Sequence, residues 1–490
     1  MRIIASTILT LAASFAAADL PSPCSHVPCP AMPDDVRRVL DEAADGHAWI
    51  SVEEIGRSAG GRAVLAVRLD RSAGTAGWRL LFVGQQHGNE PAGGAALLAL
   101  VDAIAADPGR LPADTELWVV PQVNPDGAAA DTRRNAAGVD LNRDHLTLSQ
   151  PEIRAVHALA RRVRPDIVVD GHEFARDSSD YLAAGWTEWP LVMMDTANHP
   201  LLPPEVYRVG LDWVEAAAPE MAARGIAYQR YLVGDAPPSG EQRPSTLDAD
   251  DARNGLALHT GALGFIIESG ISRDAAEPDA DLADRVEAHL ALLDRFLHDL
   301  TLRSASLAAV AASRMAATPS TVPVNVLWGN VERRPAPVPV VDRASGRVVM
   351  VPAPNRMHDR VVKRSVATPA AYVVDAAAAS TYRALLDRHA IPYREVEAPT
   401  PARLVRCVLE RVEDDYDPVY QRYGGRQIVR CESPGEQMIE PGSLRVSVTD
   451  ADGRRTAAVL DPRMLYGLYQ FDDYRATVAA DGRLPVAMEP

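Results

Sequence analysis

The stretch RLLFVGQQHGNEPAGG, residues 79–94, decides the fold of this chain. It begins with an apolar run of the length expected for a buried β-strand and continues into a glycine-rich turn that carries His87 and Glu90. Pro91 suits the first turn of a helix, and the segment AALLALVDAIAA that follows has helical periodicity. The stretch therefore predicts a strand, a tight turn and a helix, with a histidine and a glutamate in the turn.

The same alternation of apolar strands and helices continues along the chain. Further strand-like runs are ELWVVPQV (116–123), DIVVDG (166–171) and GFIIES (264–269), and the helical segment PEIRAVHALARRV precedes the second of them. Continuous apolar strands separated by helices indicate an α/β fold, in which a largely parallel sheet is covered on both faces. Ligands of such sheets gather at the carboxyl ends of the strands.

The length and composition predict a globular protein with more than one domain. The chain has 490 residues, 47% apolar and 24% charged, and a net charge of −16 without any dense run of lysine and arginine. These values argue against nucleic acid and anionic membranes as partners. Around Pro319 the sequence becomes rich in proline and valine. We expect a first, α/β domain at 34–300, a linker region at 301–356, and a smaller C-terminal α+β or β-rich domain at 357–490.

The N-terminus predicts export. Residues 1–18, MRIIASTILTLAASFAAA, combine Arg2, a short apolar segment and a small-residue cleavage site, as in a signal peptide. No later segment is long and apolar enough to span a bilayer, so we expect a periplasmic or secreted protein. An oxidising compartment permits disulfides, and the most economical of the three pairings is the local one, although free thiols stay possible. That pairing joins Cys24 to Cys29 and Cys407 to Cys431.

Four side chains suited to metal binding or proton transfer follow the predicted strands. They are His87, Glu90, His172 and Glu268. In a parallel sheet they would converge at one edge. Two histidines and one carboxylate form a catalytic zinc set that leaves a fourth position for water. A separate glutamate would then take the proton from that water, and Glu268 is the candidate.

A second cluster, NPDGAAADTRRNAAGVDLNRDH (124–145), lies between the predicted ligands. NPDG is a turn signal, and Arg133, Arg134 and Arg143 follow it. An arginine can bind a carboxylate with two hydrogen bonds or stabilise an oxyanion. We expect such a role for Arg133 and Arg143, and a surface ion pair for Arg134.

These residues resemble the zinc carboxypeptidase family, the carboxypeptidase A-like metallopeptidases. The resemblance covers roughly residues 34–300, and its motifs are HGNE (87–90), NPDG (124–127), TRRN (132–135), GVDLNRD (138–144), DGHE (170–173) and FIIES (265–269). It implies a mixed, mainly parallel eight-stranded sheet with helices on both faces. It also implies one zinc ion per chain.

The resemblance further implies a role for each site residue. His87, Glu90 and His172 would be the zinc ligands, and Glu268 the general base and acid. Arg133 would polarise the scissile carbonyl, with Arg134 as the alternative one position on. The pair that grips the free C-terminal carboxylate of the substrate would be Asn142 and Arg143.

Two departures from the family pattern affect the substrate pocket. The family usually has a tyrosine about twenty residues before the catalytic glutamate, whereas here Tyr228 and Tyr231 lie further back, so no substrate-capping tyrosine is assigned. RDH stands where RNF is usual, and this difference would change the rim of the substrate pocket. Glu173 could compete as a ligand or base. The remaining histidines are expected in ordinary structural roles, and they include His145, His157, His199 and His259.

The leading hypothesis is an exported zinc-dependent carboxypeptidase that hydrolyses an amide next to a free C-terminal carboxylate, through zinc-bound water activated by Glu268. Close alternatives are a cell-wall peptide (muropeptide) amidase or peptidase and an N-acyl amino acid deacylase. A more remote alternative is a non-catalytic peptide-binding protein, which would usually lack a ligand or the base. Here each of these positions is filled.

Overall fold

The structure is a computed structural model that describes residues 23–272, 278–314, 318–331, 336–413, 426–448 and 453–490. The predicted signal segment, 1–18, lies outside the described residues. Among those described, no helix has the length and apolar character needed to cross a membrane. Both local disulfides favoured by the sequence are present, Cys24–Cys29 and Cys407–Cys431.

The first part of the chain contains the central sheet and its helices. Its strands are β1 (Ile50–Arg57), β2 (Ala63–Asp70), β3 (Trp78–Gly84), β4 (Thr115–Val120), β5 (Ile167–Ala175), β6 (Trp186–Glu188), β7 (Val192–Thr196), β8 (Tyr228–Arg230), β9 (Val233–Gly234), β10 (Gln242–Arg243) and β11 (Leu263–Ile271). Its helices are α1 (Pro33–Ala44), α2 (Pro91–Ala106), α3 (Pro125–Ala130), α4 (Pro151–Val163), α5 (Ser179–Ala183), α6 (Pro204–Ala223), α7 (Ala252–Thr260), α8 (Pro278–Leu302) and α9 (Ser304–Arg314).

The central sheet has eight strands in the order β1-β2-β4-β3-β5-β11-β7-β8. The central strands β4, β3, β5 and β11 run parallel, whereas β1 with β2, β2 with β4, and β11 with β7 pair antiparallel. The sheet is therefore mixed and mainly parallel, and this confirms the predicted fold class. The parallel core brings the carboxyl ends of β3, β5 and β11 to one edge.

Both faces of the sheet are covered because successive side chains of a strand point to opposite sides. Leu80 and Phe82 of β3 pack with α2, α6 and α8 in one buried cluster. Leu81 and Val83 of the same strand pack with α4 and α7 in another. The continuous apolar runs in the sequence follow from this double burial.

The C-terminal part is β-rich with short helices. Its strands are β12 (Thr321–Gly329), β13 (Val338–Asp342), β14 (Arg347–Val351), β15 (Asp359–Ala367), β16 (Ala371–Val374), β17 (Arg394–Glu395), β18 (Thr400–Leu404), β19 (Cys407–Glu413), β20 (Arg426–Cys431), β21 (Gly435–Ile439), β22 (Leu444–Ser447) and β23 (Val486–Glu489). Its helices are α10 (Ala379–His389), α11 (Gly453–Leu460) and α12 (Asp472–Arg475).

The C-terminal part is attached to the first part through shared strands and a shared core. Strand β13 pairs antiparallel with β6, and β14 continues that small sheet. Leu146 and Leu201 join the apolar core around α10 and β16. The segment predicted as a linker, 301–356, holds α9 and β12 to β14, because alternate valines such as Val322 and Val324 are buried there. The domain boundaries themselves stay a prediction.

The HGNE turn touches the backbone of the first turn of α3, because NPDG begins a helix at Pro125 and does not form the loop turn predicted from the sequence. A Cβ atom placed on Gly88 would lie 1.9 Å from the carbonyl carbon of Gly127, far inside van der Waals contact. The side-chain amide of Asn124 donates to the carbonyl of Gln86 at 3.1 Å and so joins the two turns. Only a residue without a side chain permits this approach at position 88.

We expect Gly88→Ala to destabilise the protein by about 1–3 kcal/mol or more, because the added methyl group forces two backbones apart. Thermal unfolding of the purified variant measures this as a lowered Tm. Gly435→Ala is the matched control, since a Cβ at Gly435 has nothing within 4 Å. Equal Tm values for the two variants would contradict the packing argument.

Candidate metal centre and active site

Strand register places the four side chains predicted from the strand ends beside one another. Glu268 of β11 lies directly opposite His172 of β5. Gly84, at the end of β3, lies opposite Gly171, and the HGNE turn with His87 follows at once. The convergence follows from the parallel pairing, because the carboxyl ends of parallel strands share one edge of the sheet.

His87, Glu90 and His172 form a buried group whose ligand atoms all lie within 4.8 Å of one another. The His87 Nδ1 atom is 2.9 Å from Glu90 Oε1, the His172 Nδ1 atom is 3.0 Å from Glu90 Oε2, and the two Nδ1 atoms are 3.1 Å apart. Tetrahedral zinc with bonds of about 2.0–2.1 Å separates its ligand atoms by about 3.3 Å. The donor set and its spacing therefore fit a zinc ion.

Two buried aspartates orient the imidazole rings. His87 Nε2 is 2.9 Å from Asp140 Oδ1, and His172 Nε2 is 2.7 Å from Asp170 Oδ2. A carboxylate at Nε2 holds the proton on that nitrogen and leaves the Nδ1 lone pair free, as is usual for metal-binding histidines. Both Nδ1 atoms face Glu90. The sequence analysis gave neither aspartate a role, although both lie within the quoted motifs.

The metal-free group carries matched charges. Burial opposes ionisation of Glu90, but His87 and His172 outweigh it and lower the pKa of that carboxyl. For His172 burial again opposes the charge, and Asp170 and Glu90 raise the pKa of the imidazole well above its ordinary value. The raised pKa favours the protonated form of His172 when no metal is bound.

Glu268 stands beside the group, opposite His172. Burial raises the pKa of its carboxyl to about 7, against the lowering effect of His172, and Glu90 adds to the rise. Tyr231 makes a side-chain hydrogen bond to Glu268. The sequence analysis assigned no tyrosine to the site because Tyr231 lies further from Glu268 in sequence than the family spacing suggests.

Arg133 and Arg134 point to different surroundings. Arg133 Nη1 is 3.1 Å from Glu90 Oε1 and 3.1 Å from His87 Nδ1, and its Nε donates to Asp140 at 3.0 Å. Arg134 instead donates to the carbonyl of Gly138 at 2.7 Å, on an exposed turn. Of the two arginines, Arg133 is the one whose guanidinium group reaches the ligand atoms.

Asn142 and Arg143 lie on the same side of the site but differ in their contacts. The side-chain oxygen of Asn142 accepts the Ala252 N–H at 2.8 Å, and its nitrogen lies 3.0 Å from His172 Nε2. Arg143 Nη1 donates to the Asn142 carbonyl at 2.6 Å, while its buried Nε atom has no hydrogen-bond partner among the described residues. The amide of Asn142 is thus engaged within the protein, and Arg143 retains a free donor.

The charge of Arg143 is secured by its surroundings. Burial works against the guanidinium charge, but Asp140, Asp250 and Asp251 raise the pKa of the group above its ordinary value, with a further contribution from Tyr231. Arg143 therefore stays a cation inside the site, where an anionic group of a ligand would gain from it.

Glu173, considered from sequence as a rival ligand or base, is engaged elsewhere. Its Oε2 atom accepts from Arg285 Nη1 at 2.7 Å, and its Oε1 atom accepts the Ala92 N–H at 2.8 Å. Its own N–H donates to Glu90 Oε2 at 3.0 Å. Glu173 thus supports the orientation of Glu90 and offers neither carboxylate oxygen to the metal position.

We expect zinc uptake by the metal-free protein at pH 7 to release about one proton per ion from His172, because its Nδ1 proton must leave before a metal binds. The same competition should weaken zinc binding as the pH falls. A pH indicator in weakly buffered solution measures the release. Magnesium chloride, which prefers oxygen ligands, is the control. Zinc binding without proton release would contradict the protonated state of His172.

Comparison with known proteins agrees with these observations. Residues 36–162 match the sequence model of the family described as zinc carboxypeptidase. Probable carboxypeptidase 2 of Trichophyton verrucosum is 38% identical over 99 residues, which are 20% of this chain and 19% of that protein. Carboxypeptidase 2 of Trichophyton rubrum is 30% identical over 155 residues, which are 30% of this chain and 29% of that protein. The chain thus matches less than a third of the length of these curated relatives.

A solved metallo-carboxypeptidase structure from Burkholderia cenocepacia aligns with a TM-score of 0.44 and 19% identity, over 56% of this chain and 70% of that one. A likeness of this size does not identify a fold by itself. The family match includes His87, Glu90, Arg133 and Arg143, and it ends before His172. Over residues 36–162, this chain is similar to the zinc carboxypeptidase family.

Proposed function

We propose that this protein is a zinc-dependent metallocarboxypeptidase that hydrolyses the amide bond next to a free C-terminal carboxylate. The observation that carries the proposal is the buried group of His87, Glu90 and His172 with Glu268 beside it. A group that served only stability would not need a fourth side chain at the same edge of the sheet, a carboxyl whose pKa is raised by burial to about 7. The family match of residues 36–162 supports the same activity.

One zinc ion per chain is the proposed cofactor, with His87, Glu90 and His172 as its ligands. Bound there, zinc would polarise a substrate carbonyl and make a water molecule more acidic. Asp140 and Asp170 hold the rings for this purpose through the Nε2 atoms of His87 and His172. Glu90 neutralises part of the ion's charge.

Glu268 is the proposed general base and acid. A base is most effective when its pKa is near the working pH, and burial raises the pKa of Glu268 to about 7. Its ionised carboxylate would take a proton from the attacking water and pass it to the leaving amine. Tyr231 can keep this carboxylate oriented through its hydrogen bond.

Arg133 is the proposed donor to the scissile carbonyl. Its guanidinium group already lies next to the ligand atoms of Glu90 and His87, so a carbonyl oxygen bound at this position would be within its reach. Cationic donors fixed before the reaction stabilise the negative charge that develops on such an oxygen. Arg134, the alternative from sequence, faces Gly138 and not the ligand atoms.

Arg143 is the proposed binding residue for the substrate's free carboxylate. Its buried Nε atom has no hydrogen-bond partner among the described residues, and a carboxylate could accept from it. Asn142 is proposed as its companion. Because the Asn142 amide contacts Ala252 and His172, its contribution would come mainly through holding the backbone carbonyl that anchors Arg143.

The natural substrate could be an ordinary peptide, a cell-wall peptide or an N-acyl amino acid, since all three present an amide near a free carboxylate. The proposal favours peptides, and export through the predicted signal segment would place the enzyme in the periplasm or outside the cell. Side-by-side assays of the three substrate classes with the zinc-loaded protein separate them. Hydrolysis confined to N-acyl amino acids would replace the peptidase assignment by the deacylase.

We expect Glu268→Gln to lower kcat by about 10²–10⁴-fold, because the amide cannot accept the proton of the attacking water. Zinc content measured by atomic absorption should stay at the wild-type level. Glu188→Gln is the matched control, since burial also raises the pKa of Glu188, to about 8, and Glu268 is among its charged neighbours. Normal turnover by the Glu268 variant would contradict its assignment as the base.

We expect Arg143→Ala to raise KM by about 10–100-fold for peptides with a free C-terminus, because a charged hydrogen bond to the carboxylate is worth about 1.5–3 kcal/mol. Peptides that end in an amide should be poor substrates for the wild type and for the variant. Since Arg143→Ala also weakens binding of free-acid peptides, the variant should no longer prefer them to the amidated peptides. Arg134→Ala is the control and should keep that preference. Retention of the preference by Arg143→Ala would exclude Arg143 as the carboxylate site.

A further inference from the structure

A continuous chain of hydrogen bonds runs from His172 into the protein interior. His172 Nε2 is 2.7 Å from Asp170 Oδ2, and Gln86 Nε2 donates to both oxygens of Asp170 at 2.9 Å. His145 Nε2 lies 2.8 Å from Gln86 Oε1, and His145 Nδ1 lies 2.9 Å from His157 Nε2. The chain thus connects a candidate metal ligand to two histidines that the sequence analysis treated as ordinary.

The donors and acceptors of this series of hydrogen bonds can be assigned in one way. Asp170 can only accept, so Gln86 must present its nitrogen to Asp170 and its oxygen to His145. His145 therefore carries its proton on Nε2 and accepts at Nδ1 from the Nε2–H of His157. Each group fixes the orientation or the tautomer of the next one.

Burial makes each link difficult to replace by water. The exposed fractions are 0% for Asp170, 1% for Gln86, 2% for His145 and 1% for His157. Burial also lowers the pKa of His145 to about 4, so the imidazole is neutral and keeps both a donor and an acceptor. A buried polar group that loses its partner keeps the full cost of its desolvation.

The segment that carries His145 is held by the C-terminal part of the chain. The carbonyl of Leu146 accepts from His389 Nε2 at 2.9 Å, and the carbonyl of Thr147 accepts from Arg388 Nη1 at 3.3 Å. Both donors are at the end of α10. His145 is thus fixed from two sides, because its own N–H donates to the carbonyl of Asp250 at 3.1 Å.

We propose that Gln86 and His145 are positioning residues for the metal site. They would hold the Asp170 carboxylate in the orientation that keeps the proton of His172 on Nε2 and its Nδ1 lone pair directed at the metal. Hydrogen-bond partners of metal ligands commonly contribute 10–100-fold to metal affinity. The inference rests on the metal site proposed above and extends it to residues that touch neither metal nor substrate.

The test is a zinc titration of the full chain against a competing chelator, without any activity measurement. The variants are Gln86→Leu and His145→Phe, which break the chain, and His145→Gln, which retains a donor at the position of Nε2. His259→Phe is the matched control. Its ring lies 5.0 Å from that of His157 by centroid, but neither of its nitrogens has a hydrogen-bond partner among the described residues.

We expect zinc affinity to fall by about 10-fold in Gln86→Leu and His145→Phe. The zinc affinity of His145→Gln should stay within about threefold of wild type, because the variant retains a hydrogen-bond donor to Gln86. The zinc affinity of His259→Phe should stay within the same range, because His259 takes no part in these hydrogen bonds. Thermal unfolding of the metal-free proteins identifies any variant that does not fold. If His145→Phe fails to fold, Gln86→Leu against His145→Gln still decides the question.

The outcomes separate this inference from the proposed function. A wild-type protein that binds no zinc would overturn the metal site, and the inference would fall with it. Wild-type binding with unchanged affinity in Gln86→Leu would overturn the inference alone. Equal losses in His145→Phe, His145→Gln and His259→Phe would also overturn it, because they would indicate general loosening of the histidine cluster and not loss of one directed donor.

Discussion

The parallel alignment of β3, β5 and β11 is the constraint on which the site depends. Because Glu268 is opposite His172 in register, and the HGNE turn leaves the end of β3 beside them, the four groups need no long loop to meet. A slip of one residue would move every side chain of a strand to the opposite face of the sheet and would separate Glu268 from His172. The strand pairing that stabilises the sheet therefore also fixes the geometry of the site.

The placement of the imidazole rings depends on a second layer of buried carboxylates. Asp140 and Asp170 would be costly without partners, and His87 and His172 supply those partners. The aspartates in turn hold each imidazole ring in one orientation and one tautomer. Glu173 extends the same pattern by bonding to Arg285 and to the backbone at the start of α2.

The sequence alone predicted the features that depend on the order of neighbouring residues along the chain. Apolar strands followed by short polar turns predicted the central sheet, and the strand ends predicted that His87, Glu90, His172 and Glu268 would lie together. Both disulfides were predicted as the pairing of cysteines that are nearest in sequence. These predictions succeed because a parallel sheet converts a position along each strand into a position in space.

Features that depend on contacts between distant segments could not be predicted. Tyr231 follows β8 and forms a hydrogen bond to Glu268 of β11. The distance between the two residues in sequence gave no indication of this contact. Gln86 meets Asp170 and His145 only in the folded chain. Arg133 and Arg134 are adjacent in sequence, and only the backbone path of the turn separates their directions. The proline- and valine-rich segment resembled a linker because its valines find their partners far away in sequence.

The pairing of β13 with β6 has a consequence for the order in which the fold is completed. Strand β6 carries Glu188, one of the charged neighbours of Glu268. The Glu188 N–H donates to the carbonyl of Arg176 at 2.8 Å, but the strand that pairs with β6 is β13, which is synthesised much later. Until β13 is synthesised, one edge of β6 has no partner strand, and an open edge of this kind can pair with another chain. Pairing with β13 closes that edge, so the C-terminal part protects β6 from pairing with a second molecule.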